Sequence, residues 1–128
     1  MFGNSKAFSS FAVRDIQQAE DFYANTLGLR VTWDMEAPGG GLLTLHIKGG
    51  TQVLVYGKPD HVPAVFTVLN FLVDDIDQAV DGLTQSGVTF ERYPGFDQDE
   101  KGIDRGEGPN IAWFTDPSGN ILSVLQPD

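Results

Sequence analysis

No cysteine occurs in this 128-residue chain, so disulfides, thiolate metal sites and cysteine nucleophiles are excluded together. Histidine is nearly as scarce, with only His46 and His61. Basic residues number eight against eighteen acidic ones, a net charge of −10. A field of that sign repels phosphate backbones and anionic lipid heads, so neither nucleic acid nor a membrane surface is expected as a partner. No apolar run approaches the roughly 18 residues that would span a bilayer, and the opening MFGNSKAFSS lacks the basic-then-apolar order of a secretory signal. Cytoplasmic location is the default expectation. Serine-hydrolase G-x-S-x-G and phosphate-loop signatures are also missing; Gly39-Gly40-Gly41 has no following Lys-Ser/Thr and reads as part of a hairpin turn.

What is present is a repeat. Residues 11–28 read FAVRDIQQAEDFYANTLG and residues 71–87 read FLVDDIDQAVDGLTQSG. Phe11 matches Phe71, Val13 matches Val73, Asp15-Ile16 matches Asp75-Ile76, Gln18-Ala19 matches Gln78-Ala79, and Asp21 matches Asp81. One residue drops out before Gly28 meets Gly87. Such a repeat implies two copies of one supersecondary unit. With 41% hydrophobic residues and nine Phe, the chain is globular, and its length suits one domain, residues 1–128, with modules at about 1–58 and 64–128.

Each copy opens with a strand, Ala7–Val13 or Phe66–Val73. Asp15 and Asp75 then stand at helix N-caps, with Gln18 and Gln78 three residues on. Ile16, Ala19, Phe22, Tyr23 and Leu27 make one apolar helical stripe, and Ile76, Ala79, Val80 and Leu83 the other. Gly28 and Gly87 end the helices. Strands follow at Leu29–Glu36, Leu42–Lys48 and Thr51–Tyr56, split by turns at Pro38-Gly39-Gly40-Gly41 and Gly49-Gly50. The second copy continues with Val88–Tyr93, a long polar stretch at Pro94–Pro109, and a hairpin of Asn110–Thr115 and Asn120–Gln126 around Asp116-Pro117-Ser118-Gly119. The fold class is α+β, each half reading strand, helix, strand, strand, strand. The stretch GFDQDEKGIDRGEGP reads equally as a lid over a pocket or a solvated excursion.

The segments FAVRDIQQAEDFYANTLGLRV, FLVDDIDQAVDGLTQSGV and AWFTDPSGNILSVLQ resemble the vicinal-oxygen-chelate superfamily of glyoxalase I, bleomycin-resistance proteins and extradiol dioxygenases. The resemblance covers almost the whole chain. It implies two tandem βαβββ modules whose mixed sheets curl around a cup with helices outside, commonly paired in a homodimer. It also implies a test for metal. Members that bind one take a His or Gln seven residues before each capping Asp and a Glu in the final strand. Those positions are Phe8, Val68 and Ser123 here. Thr51–Tyr56 of the first module holds no acid, with Gln52 as its only amide. No cofactor and no metal ligand are therefore expected.

Other chemistry is thin. His61 lies between Pro59 and Pro63 and reads as a turn residue. His46 reads as a sheet residue or as a polar group in the cup; with Glu36 and loop acids it could hold an unorthodox metal, though no spacing supports that. Tyr56, Tyr93 and His46 could serve as acid or base. Asp97–Glu100 and Asp104–Glu107 read as solvated carboxylates. Aromatic residues on the strands and loop, Phe90 and Phe114 among them, suit an apolar pocket or plain core packing. The pocket candidates are Trp33, His46, Tyr56, Tyr93, Phe96, Trp113 and Ser123. Small-molecule binding without the family metal, of a cationic or aromatic compound, is the leading expectation. A glyoxalase- or dioxygenase-like lyase or oxygenase, using an unorthodox metal site or none, is the alternative. A ligand-free interaction module is the third.

Overall fold

A computed structural model describes residues 1–37 and 40–128. The chain divides into two compact units, Met1–His61 and Val62–Asp128. In the first, β1 (Ser9–Val13) leads into helix α1 (Ile16–Asp21), followed by β2 (Arg30–Ala37), β3 (Gly40–Ile47) and β4 (Thr51–Gly57). The sheet order is β1-β4-β3-β2, with β1 parallel to β4 and the remaining pairs antiparallel. Pro38 and Gly39 of the expected hairpin turn lie outside the described residues. The second unit runs β5 (Thr67–Leu72), helix α2 (Ile76–Gln85), β6 (Asn110–Thr115) and β7 (Ile121–Gln126), in the order β5-β7-β6. The architecture is α+β, two mixed sheets of four and three strands built on the strand–helix–strands plan.

Each helix starts where its aspartate can accept orphan backbone N–H groups. Asp15 accepts from the Gln17 and Gln18 N–H, both at 3.1 Å, and Asp75 from the Gln78 N–H at 3.1 Å. The Ile76 N–H goes instead to the Gln126 side chain, 2.9 Å away, which ties α2 to its sheet. Ile16, Ala19 and Tyr23 are buried on one side of the unit, and Ile76 and Val80 on one side of the other. Leu43, Leu45, Val53 and Val55 form the sheet surface beneath α1; Ala112, Phe114, Leu122 and Val124 form the one beneath α2.

The missing residue in the repeat has a structural counterpart. Helix α2 ends in a Schellman motif: Val88 N–H bonds the Leu83 carbonyl, Gly87 N–H bonds the Thr84 carbonyl, and Gly87 has φ +96°. Helix α1 instead widens into a π-helical turn, Phe22–Thr26, before Gly28 at φ +74°. Leu27 N–H reaches back to Phe22 and Leu29 N–H to Tyr23. Tyr23 and Leu83 are equivalent positions, and the closing bond spans one residue more in the first unit. A π-turn is how a helix absorbs a single inserted residue without losing its backbone bonds.

The strand expected at Val88–Tyr93 does not form. Only a single bridge, Phe90 to Phe114, and the Glu91 N–H to Trp113 carbonyl bond of 2.8 Å remain of it. The reason is a side chain. Gln98 accepts from the Tyr93 N–H (2.8 Å) and donates to the Glu91 carbonyl (2.8 Å) and the Gly102 carbonyl (2.9 Å). One amide thereby satisfies backbone groups that a neighbouring strand would have taken.

Candidate functional site

Strand alternation gives each sheet a face under its helix and a face free of it. In the first sheet the pairing of Leu42 with Tyr56, Thr44 with Leu54, and His46 with Gln52 places these side chains on the helix-free face. Arg30 and Thr32 join them from β2. A bulge between Trp33 and Met35 inserts Asp34, whose carboxylate accepts a short hydrogen bond from the buried Thr44 hydroxyl. His46 Nε2 lies 2.8 Å from Thr32 Oγ1. Trp33 lies on the opposite face, where its indole N–H donates to Glu20 of α1 at 2.5 Å. It therefore stands apart from His46 and Tyr56. An open hollow of about 910 Å³ at the start of β1 and β4 is lined by Lys6, Phe8, Thr51 and Gln52, with Phe8 72% exposed.

In the second sheet, the pairing of Asn70 with Ser123 and of Ser123 with Trp113 sets all three in one row on the helix-free face. Three of the candidate residues meet there. The Phe96 and Trp113 ring centroids are 4.8 Å apart, Tyr93 and Trp113 5.6 Å, and Tyr93 and Phe96 6.5 Å. Trp113 is 9% exposed beneath this cover, whereas Phe96 is 52% exposed. Burial raises the Tyr93 phenol above its ordinary pKa, and the Glu91 carboxylate adds to the rise.

Loop 94–109, which carries Phe96, is a built structure rather than a solvated excursion. Ile103 is fully buried at its centre. Asp99 Oδ1 accepts from the Lys101 and Ile103 N–H groups, both at 2.9 Å. Arg92 donates to the carbonyls of Asp99 and Glu100, each at 2.7 Å. Arg105 bridges Asp77 of α2 (2.7 Å) and Asp99 (3.0 Å), and Lys101 bridges Asp77 (3.3 Å) and Asp81 (3.0 Å). The hydrogen bond from Arg105, helped by Lys101, holds Asp77 below the usual carboxylate range despite some desolvation. At Asp99 burial pushes upward, but the Ile103 N–H, Arg105 and the Lys101 N–H together outweigh it, and its pKa falls.

The acids singled out in the sequence are thus divided: Asp99 and Asp104 organise the loop, with the Asp104 side chain accepting from the Gly106 N–H at 2.9 Å, while Asp97 and Glu100 are exposed. Among the described residues the donors a divalent metal would need do not converge. Phe8 and Val68 carry no donor atom, and the Ser123 hydroxyl is committed to the Asn70 side chain at 2.5 Å. Among the described residues no three His, Cys, Asp or Glu side chains group as a metal site. Asn70 and Asp34 were not among the sequence candidates. A lone amide inside the apolar run FTVLNFLV was the available signal for Asn70; the bulge that aims Asp34 left none.

Two strand–helix–strands units with mixed sheets of four and three strands, the second closed by the DP-x-GN hairpin, define a glyoxalase-fold protein. The Glyoxalase/Bleomycin resistance protein/Dioxygenase superfamily matches residues 8–124, and the chain belongs to it. It is similar to TnmS3, an antibiotic binding protein from Streptomyces sp. CB03234, with 25% identity, 98% of each chain covered and a TM-score of 0.69. A superfamily member from Sphaerobacter thermophilus DSM 20745 shares 29% identity over 94% of this chain and 97% of its own, with a TM-score of 0.68. The Bacillus subtilis protein YraH is 25% identical, covering 89% of this chain and 91% of its own length.

Proposed function

We propose that this chain binds a small, flat aromatic compound on the helix-free face of its second sheet and holds it without a metal ion. The observation that carries the reading is the ring cluster: Trp113 lies beneath Phe96 and Tyr93, and Phe96 keeps half its surface in solvent. A ligand ring gains contact with an aromatic wall already assembled, so little ordering cost is left for binding. The net charge of −10 raises the local concentration of cationic compounds. The similarity to an antibiotic binding protein supports the same class of ligand.

A homodimer in the cytoplasm belongs to this reading. Phe8, Phe66 and Leu72 are exposed by two-thirds or more, and apolar surface of that kind suits an interface. No helix among the described residues is long and apolar enough to cross a membrane. Native mass spectrometry of the purified protein tests the reading in one spectrum. A metal-free dimer carrying extra organic mass supports it; a stoichiometric divalent metal overturns it. Titration with flat cationic aromatics, followed by melting temperature and tryptophan emission, supplies the binding test, and no response across the panel counts against it.

One observation favours a second reading, a metal-free lyase or isomerase. His46 with Thr32, and Asp34 with Thr44, place proton-transfer groups on the helix-free face of the first sheet. Turnover of a thiohemiacetal by the metal-free protein that disappears in H46A would install this reading in place of the first.

A further inference from the structure

The small-molecule reading leaves open what besides ring stacking selects a ligand, and the second sheet contains a group suited to that task. Strand β5 is irregular between Thr67 and Leu69. Thr67 pairs with Ile121 and Leu69 with Leu122, so Val68 is in excess. In an unbroken ladder Leu69 would face Ser123. The shift brings Asn70 there instead, an example of a bulge re-aiming a side chain.

Ser123 is fully buried and its hydroxyl donates to Asn70 Oδ1 at 2.5 Å. That bond fixes which end of the amide points where. The carbonyl end is taken, and the Nδ2 end, with two N–H donors, makes no hydrogen bond among the described residues. Asn70 itself is exposed. Its row on the sheet continues through Ser123 to Trp113, and two strand spacings put the ends of the row about 10 Å apart. Leu72, 71% exposed on the same face, leaves this end of the sheet uncovered and apolar.

We propose that Asn70, oriented by Ser123, is a specificity-determining donor of this site, selecting flat arenes that carry a neutral carbonyl-type acceptor at one end. This rests on the small-molecule reading. An ammonium or guanidinium at that end would meet two N–H donors of its own kind, with the one acceptor oxygen already shared with Ser123. A carbonyl receives a hydrogen bond from a group whose rotation is already restrained, at little further ordering cost. Ser123 is a positioning residue: it touches the amide rather than the ligand.

The test uses two probes of nearly equal shape, 2-acetylnaphthalene and 2-ethylnaphthalene, titrated into the ¹⁵N-labelled 128-residue chain and followed by NMR. The wild type should bind the acetyl probe about 5-fold more tightly, the worth of one neutral hydrogen bond, with the Asn70 Nδ2 resonances shifting for that probe alone. N70A should remove the preference while keeping the ethyl probe's affinity. S123A should reduce it, because the amide is then free to turn. W113A should weaken both probes equally, with circular dichroism showing that each variant is folded. Equal affinity of the two probes in the wild type, with W113A still weakening them, overturns the role of Asn70 and leaves the binding reading intact. Absence of binding by either probe overturns the role of Asn70, and joined to silence across the cationic panel it overturns the binding reading as well.

Discussion

The Gln98 side chain stands where a strand was expected, so its replacement has a calculable effect. Gln98→Ala removes three hydrogen bonds of 2.8–2.9 Å to the backbone of Glu91, Tyr93 and Gly102. Each is worth about 0.5–1.5 kcal/mol net, and the half-buried groups left behind regain only part of that from water. A loss of about 2–3 kcal/mol in the local opening free energy of residues 91–103 follows, which speeds amide exchange there by roughly 30- to 150-fold. Gln98→Glu sharpens the argument. It retains the acceptor for the Tyr93 N–H but sets a carboxylate against two carbonyl oxygens, so it should open the segment more than alanine does. Hydrogen exchange with mass spectrometry reads both variants. The emission of Trp113, isolated in a W33F background, should shift red as its cover loosens. Unchanged protection in Q98A, or a milder effect in Q98E than in Q98A, would refute the view that this amide substitutes for a strand.

Acid should release the same loop. Asp77 and Asp99 titrate below their ordinary value of 3.8 in the folded chain, so the unfolded loop binds more protons in that range. Their contribution is complete above about pH 5 and fades as pH falls through the depressed values; exchange at residues 94–105 should be faster at pH 3 than at pH 6 after correction for intrinsic rates. R105A should narrow that difference, while 1 M salt weakens the ion pairs at either pH, since they are partly open to solvent. Gly57→Ala should cost about 2 kcal/mol or more, because an added Cβ would sit 2.8 Å from the Gly40 Cα, where only backbone can give way; urea denaturation measures it. Asp116→Ala should be worse, at about 3 kcal/mol, because the 3% exposed carboxylate accepts from the Ser118 N–H, the Asn120 N–H and the Asn120 Nδ2 that together shape the last hairpin.

Periodicity and caps carried most of the fold. Asp15, Asp75, Gly28 and Gly87 mark the helices because their local chemistry works whatever surrounds them, and the DP-x-GN turn is held by its own Asp116. The strand at Val88–Tyr93 misled because its β-branched and aromatic pattern is real, but a partner's identity is a tertiary matter. Gln98 lies five residues beyond Tyr93 and gives no periodic signal. The site was legible in part: Tyr93, Phe96 and Trp113 meet, whereas Trp33 differs by a face, a distinction that the bulge at Asp34 makes hard to read from alternation alone. Asn70 escaped because its placement beside Ser123 depends on the surplus Val68.

The π-helical turn at Phe22–Thr26 bears on how the two halves came to differ. An insertion in a connecting loop lengthens a surface; one in the middle of a regular helix turns every later side chain by about 100° and scrambles the buried stripe. Here the added residue is taken up in a local widening: the Leu27 N–H still finds the Phe22 carbonyl, the Leu29 N–H finds the Tyr23 carbonyl, and Tyr23 within the turn stays fully buried. The first half thus carries one more residue of helix than the second without exposing the tyrosine at the heart of the turn. Deleting Asn25 runs that history backwards, and a chain that then folds with a continuous α-helix would mark this turn as the joint through which one half departed from its twin.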